Sequence, residues 1–464
     1  MKTLSFKISI LLFAVLILNG CKKRKTEELS PAEFNDNPAV FIDNFSSGLN
    51  YAAFGGSNPR GFQVDEEVAY NGTEASMRFE VPDLNDPKGA YVGGCFFTSV
   101  GRNLSKYDAL TFWIKASQAA NIDIMGFGND LGLSQYQVSI SNVPVNASWN
   151  KIIIPIPDAS LLTAERGMFF YSEGPENDRG YTFWIDEVKF EKLGTISNIR
   201  PSILSGDTQT VNSFNGISLN ISGLSCYFNL PNGTDTEVGI TPAYYNFKSS
   251  NPDIASINSL GNIQVNGGPG SAIITATVGG KNALGQLTVN SIGSFQNSPN
   301  PIHNASDVIS LFSDAYTNVV VDYYNGYWAP FQTTLSADFS VNGNNILHYT
   351  NFNFVGIQFS NPTIDASSMT HLRADIFIPN AIVGSPTFKI QLVDFGANGA
   401  FGGGDDKSHT ITYTAANITA QNWISFDIPL ANFTTLTSKA HLGQLIFEGT
   451  NIPSFYADNI YLRR

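Results

Sequence analysis

The stretch Val321–Thr334 (VDYYNGYWAPFQTT) crowds Tyr323, Tyr324, Tyr327, Trp328 and Phe331 among Asn, Gly and Pro. Rings in turn-forming sequence read as a loop or strand edge, and a core explains them poorly. A ring face takes the apolar C–H patch of a flat, hydroxylated ligand, while nearby amides bond its hydroxyls. Thr350–Phe359 (TNFNFVGIQF) follows, alternating polar and aromatic positions. In a strand, Asn351, Asn353 and Gln358 would present amides near the Trp328 ring. The competing reading is an aromatic-rich core strand beside a twisted loop.

Nearer the N-terminus the ring-and-amide signal is vaguer. Phe54, Phe62 and Tyr70 fall in Gly/Asn-rich loops, and Tyr91 joins Phe127, Asn129 and Asp130 as a second candidate set. Trp113, Trp149, Trp184 and Trp423 sit inside apolar strand patterns, where packing is the expectation.

Catalytic signals are missing. A glycosidase needs two acids about 5–10 Å apart across the scissile bond. Asp65-Glu66-Glu67 lies in turn-like sequence, and no strand alternates carboxylates as Glu-x-Asp-x-x-Glu. His303, His348, His371, His409 and His441 are scattered, with neither a His-Glu-x-x-His motif nor a Gly-x-Ser-x-Gly elbow. The chain therefore reads as a binding protein, not an enzyme. Its net charge of −13 argues against a nucleic-acid partner, which needs a basic footprint. Beyond Cys21, Cys95 and Cys226 fall far apart, which predicts two buried free thiols.

The elements that must carry these residues are short. Ala109–Ala116 (ALTFWIKA), Lys151–Ile156 (KIIIPI), Phe183–Phe190 (FWIDEVKF) and Ala272–Val278 (AIITATV) are strand-like runs between Gly, Asn, Pro and Ser. Ala305–Tyr316 allows one helical turn. The predicted class is all-β.

Residues 39–192 and 296–464 carry one order of elements twice. FIDNFSS (Phe41–Ser47) matches LFSDAYT (Leu311–Thr317), and YVGGCFF (Tyr91–Phe97) matches FVGIQFS (Phe354–Ser360). SWNKIIIPIPD (Ser148–Asp158) matches NWISFDIPLAN (Asn422–Asn432), and FWIDEVKF matches FYADNIYL (Phe455–Leu462). This order resembles jelly-roll carbohydrate-binding modules. The resemblance implies two jelly-roll β-sandwiches and a structural Ca²⁺ near the matched aspartates, Asp43 with Asp186 and Asp314 with Asp458.

Between them, residues 193–292 contain Ser249–Ile263 and Gly270–Ala276, which resemble the bacterial immunoglobulin-like group 2 pattern, usually a spacer. The last module also resembles a region attached to flavobacterial laminarinases, on Val308–Thr317, Trp328–Thr333, Asn351–Phe359 and Leu392–Gly396. That resemblance adds Gln332 and Asp394 to the site and implies a β-1,3-glucan such as laminarin as ligand.

At the N-terminus, two lysines in Met1–Lys7 precede the apolar run Ile8–Leu18, which is shorter than the roughly 20 residues of a membrane span. Leu18-Asn19-Gly20-Cys21 resembles the bacterial lipobox, so residues 1–20 are expected to be a signal peptide and Cys21 the lipidated residue. Residues 21–38 are charged and read as a flexible tether. The combined expectation is a surface-exposed, outer-membrane lipoprotein of Bacteroidetes type. It would bind β-glucan for a starch-utilisation-type (SusC/SusD-like) transporter pair, with the membrane met only through the lipid. The alternative is a surface adhesin or structural protein holding protein or matrix partners.

Overall fold

Alternation sets the architecture. In Thr387–Asp394 (TFKIQLVD), Phe388, Ile390 and Leu392 are buried while Lys389 and Gln391 are only half-buried on the other face, the period-2 pattern of a strand on a core. Gly270–Val278 follows the same rule, with Ala272, Ile274, Ala276 and Val278 buried. The computed structural model describes residues 34–341 and 343–464. The expected signal segment, Cys21 and most of the expected tether lie outside the described residues. Among the described residues the chain is all-β, and helical structure is limited to 3-10 turns such as Ala159–Leu161 and Ala305–Asp307. The last of these is the helical turn expected near residue 305.

The chain groups into two units: residues 34–202 with 224–245 and 277–282, and residues 203–223 with 246–276 and 283–464. The segment 193–292, expected as one immunoglobulin-like domain, is thus divided between them.

In the first unit, one sheet orders Phe62–Asp65, Ser76–Glu80, Thr182–Glu191, Ala109–Ala116 and Asn150–Pro155, with Ala39–Phe41 also on Thr182–Glu191. In the second unit, Leu335–Val341, Asn344–Thr350, Ser454–Arg463, His371–Phe377 and Trp423–Pro429 take the same order, with Val308–Phe312 on Ser454–Arg463. Strand for strand, these are two copies of one sheet.

The opposing sheets agree less fully. The first unit runs Leu49–Ala53, Val92–Arg102, Glu165–Glu173, Ala120–Phe127, Val138–Val145, then continues through Asp235–Ile240, Ser225–Asn229 and Ser197–Ser202. The second unit has four strands: Phe354–Gln358, Leu442–Thr450, Thr387–Asp394 and Lys407–Thr414. It lacks the edge strand equivalent to Leu49–Ala53. In that place Tyr323 makes a single bridge to Gln358, and the chain then leaves the edge as the Trp328 loop. The core between the second unit's sheets includes Tyr349, Phe388, Phe447 and Phe455, which meet at ring-centroid separations of 5.0–5.7 Å.

Candidate functional site

Register lines up one polar face on the four-stranded sheet. Gln358 pairs Gln444, which pairs Val393, which pairs Ser408. Two residues along, Gly356, Ile446, Gln391 and Thr410 form the next row, then Phe354, Glu448, Lys389 and Thr412. Because side chains alternate faces, all three rows point away from the core. A groove of about 500 Å³ lies on the first two rows, lined by Trp328, Gln358, Gln444, Gln391, Phe401 and Asp406, with Ile446, Val393, Lys407 and Ser408 completing it.

Trp328 closes one end. Gly356 has no side chain, and a Cβ there would overlap the outer edge of the indole, so the ring lies directly on the strand. Its Nε1–H donates to Tyr323 Oη at 3.2 Å, and Tyr323 O–H donates to Gln358 Oε1 at 2.8 Å. Gln444 Nε2 donates to the same oxygen at 2.9 Å. This chain of bonds orients both glutamines and turns the Gln444 carbonyl toward the groove. Gln391 Nε2 donates to Thr410 Oγ1 at 2.9 Å, which leaves its carbonyl as an acceptor. Lys389 and Glu448 pair at 2.6 Å, so the charges of that row cancel. At the other end Phe401, 70% exposed, stands on the glycine-rich loop between the last two strands, braced by Phe395 at 5.6 Å. A ring at each end with amides between them suits a neutral, hydroxylated ligand lying across the strands.

Of the residues predicted for this site, Trp328 and Gln358 line it. Asn353 clamps the loop instead: its Oδ1 accepts from Thr333 N at 3.0 Å and its Nδ2 donates to Phe331 O at 2.8 Å. Gln332 is also internal, with Oε1 accepting from Trp328 N at 3.2 Å and Nε2 donating to Thr334 O and Asn325 Oδ1. Asn351, at φ 49°, makes the turn into the strand and takes Thr333 O–H on its carbonyl at 2.9 Å. Tyr324 packs on the core and donates to Leu311 O at 2.9 Å, and burial pushes its phenol pKa up. Tyr327 is 55% exposed, tied to Ser336 Oγ at 2.9 Å, and outside the groove lining. Asp394 is buried, accepting from Gly396 N and His441 N at 2.9 and 3.0 Å. These residues shape the loop and turns around the groove.

Gln444, Gln391, Ile446 and Phe401 were not foreseen. The signal of the first three lies in the alternation of KIQLVD and QLIFEG, which marks a strand face without saying what lies opposite, whereas Phe401 stands alone in a glycine-rich stretch.

In the first unit, Phe127 is fully buried edge-on to Phe190 at 5.5 Å, so it offers no face to a ligand. Asn129 holds its own turn by accepting from Leu131 N at 3.2 Å. Tyr91 and Phe54 lie over Gly93, the residue matched to Gly356, and Tyr91 O–H donates to Gly55 O at 2.9 Å. Of the four tryptophans expected to pack, Trp423 does so, lying against the buried cluster of Phe214, Phe295 and Phe377 while it donates to Gln296 O at 2.6 Å. The other three are half-buried outside the cores, where Trp113 stacks on Tyr70 at 4.0 Å, Trp184 donates to Asp65 Oδ2 at 2.8 Å and Trp149 sits below Lys115 Nζ at 5.8 Å. Cys95 and Cys226 are buried free thiols, and burial raises their pKa to about 11 and about 12.

The matched aspartates are surrounded by hydrogen-bond donors. Asp186 accepts from Tyr70 N, Thr73 Oγ1 and Glu187 N at 2.8, 2.8 and 2.7 Å, while Asp43 accepts from Glu74 N at 2.5 Å. Asp458 accepts from Ser298 Oγ and Asn459 N at 2.6 and 2.7 Å, and Asp314 from Asn345 N at 2.7 Å. Among the described residues no three His, Cys, Asp or Glu side chains group as a metal site. A cation needs oxygen ligands, whereas amide hydrogens point at these carboxylates. The donor set does not fit calcium; it fits acids that brace loops.

Residues 41–192 match the family model for carbohydrate binding domain 30, which supports glycan binding. No curated protein matches the chain. Similar solved structures include the family 30 carbohydrate-binding module of the cellulosomal cellulase Cel9D-Cel44B of Clostridium thermocellum, at 18% identity over 34% of this chain and 95% of that one, TM-score 0.23. Another is the family 11 module from Clostridium thermocellum in complex with a β-1,3-1,4-mixed-linked tetrasaccharide, at 18% identity over 29% and 84%, TM-score 0.23. A third is the N-terminal CBM22-1–CBM22-2 tandem of Paenibacillus barcinonensis Xyn10C, at 10% identity over 94% and 99%, TM-score 0.22.

Proposed function

We propose that this chain is a non-catalytic glycan-binding protein of the cell surface, and that its last module captures β-glucan of the laminarin type. The observation that carries this reading is Trp328, the outer edge of its indole set on Gly356 at the end of a row of oriented glutamines. The groove's own charges, Asp406 and Lys407, are one of each sign, and Lys389 pairs with Glu448 in the row beyond it, which favours a neutral polymer over a charged one. Adjacent strands lie about 4.8 Å apart, so four strands give a groove about 14 Å across, a few sugar rings long. The β-1,3 preference draws on the resemblance of the last module to laminarinase-attached regions. With Cys21 lipidated in the outer membrane, the protein would hold the polymer for a SusC/SusD-like transporter pair. Affinity electrophoresis of the mature protein tests the ligand: retardation in laminarin gels is expected, and unretarded migration on laminarin, lichenan and barley β-glucan would refute it.

A further inference from the structure

Two buried side-chain atoms among the described residues have no hydrogen-bond partner, Arg373 Nε and Asp406 Oδ1. Arg373 is otherwise engaged, its Nη2 donating to Asp375 Oδ1 and Ser425 Oγ at 3.0 Å each. Asp406 differs because it lines the groove. Its Oδ2 accepts from Gly402 N at 2.8 Å, which ties it to the loop that carries Phe401. Its Oδ1 accepts nothing. A buried carboxylate oxygen normally has its acceptor sites filled, because leaving it desolvated and unpaired is costly. The adjacent acid shows the ordinary case: Asp405 accepts from Asn398 N and Nδ2 at 3.2 and 2.9 Å.

Its surroundings limit what fills that oxygen. A cation needs several oxygen ligands, yet Asp394 and Asp405 are already taken up by N–H donors. Water is shut out of the position in the free chain. A donor brought by a ligand remains, and in a groove of rings and amides that donor is a sugar hydroxyl. The wall beside Asp406 can give way to admit it. Gly402, Gly403 and Gly404 hold φ of 103°, 84° and 87°, a backbone that glycine takes without strain. Phe401, just before them, is 70% exposed. The floor under this end is fixed by contrast. The Phe395 ring that braces Phe401 lies on Gly443, where a Cβ would overlap it, much as Trp328 lies on Gly356.

We propose that Asp406 is a specificity-determining residue of the groove: the glycine loop shifts, and Oδ1 accepts a hydroxyl of the sugar ring that meets Phe401. The inference rests on the glycan reading of the groove and adds the residue that makes it selective. A charge-assisted bond rewards a hydroxyl at that place, and a ligand without one leaves the carboxylate unpaired. The test is titration calorimetry of the mature protein with laminarihexaose and cellohexaose. Asp406→Asn keeps an oxygen for Gly402 N and puts an amide nitrogen where Oδ1 stood. It should weaken the hexaose that the parent binds by about fivefold or more, with the loss in the binding enthalpy and the melting temperature unchanged. Asp406→Ser, too short to reach the place of Oδ1, should give the same enthalpic loss. The proposal is overturned if both variants bind like the parent. It is also overturned if the loss is entropic and comes with a lowered melting temperature, the mark of a loop brace. Failure of the groove reading looks different: Trp328→Ala would then bind as tightly as the parent. A parent that binds neither hexaose overturns both.

Discussion

Trp328 rests its indole on the bare backbone of Gly356, and the two residues sit on different segments joined through the Tyr323–Gln358 bridge. The glycine removes the one atom that would lift the ring off the strand. Trp328→Ala should weaken laminarin binding at least tenfold, equivalent to about 1.4 kcal/mol. Gly356→Ala keeps the tryptophan and displaces it, so a loss of several-fold is expected with little change in melting temperature. Titration calorimetry on both variants checks this; a Gly356→Ala protein that binds normally would show that ring position is unimportant.

Asn353 touches no groove wall, yet it fixes the loop that carries Trp328 through Thr333 and Phe331. Asn353→Ala should therefore cost affinity by loosening the ring, about three- to tenfold, with a larger entropic penalty on binding. Calorimetry resolves that split. An unchanged binding entropy would mean the loop is held well enough by its other bonds, those of Gln332 and of Thr333 to Asn351 among them.

The same residue shows what was legible in the sequence. Rings in a Gly/Asn/Pro stretch marked a candidate site, and of the residues named there Trp328 and Gln358 line the groove while Tyr324 packs on the core. Asn353 and Gln332 were legible as polar neighbours, but an amide that clamps a loop and one that meets a ligand look alike without coordinates. Gln391 and Gln444 were hidden for another reason. Their strand is evident from alternation, but their meeting on one face depends on the pairing of strands some 50 residues apart in sequence. Phe127 failed as a site residue because FGND reads equally as an exposed turn or as the buried end of a strand.

Asp186 and Asp458 lead to a prediction about calcium. Amide and hydroxyl hydrogens already surround these carboxylates, so a cation must displace them. Melting of the mature protein should be the same in calcium and in chelator, within about a degree. A rise of several degrees with calcium would show that the loops Tyr70–Glu74 and Ser298–Pro299 rearrange to offer oxygens.

The two units should respond to pH in opposite directions. In the first, burial raises the Glu173 carboxyl to about 7, although Asp123 N and Tyr181 O–H pull the other way, and burial likewise raises Glu165 to about 7. Each folded-state value lies above the unfolded one, so the folded unit binds extra protons between about pH 4.5 and 7. Its stability is greatest at the acid end of that window and falls as pH rises to 7. In the second unit, burial against Tyr456 lowers His348 to about 4, and the rings stack at 4.1 Å. Here the unfolded chain takes the proton first, so stability is full above about pH 6.5 and falls toward pH 4. Glu173→Gln copies the protonated acid, because its oxygen still accepts from Asp123 N and its amide donates to Tyr181 Oη. The variant should raise the melting temperature of the first unit at pH 8 by a few degrees and hardly change it at pH 5. His348→Phe should do the reverse for the second unit, protecting it at pH 4.5 and leaving pH 8 unchanged. Hydrogen exchange followed separately in Glu165–Glu173 and Asn344–Thr350 distinguishes the two; parallel shifts in both strands would contradict the assignment.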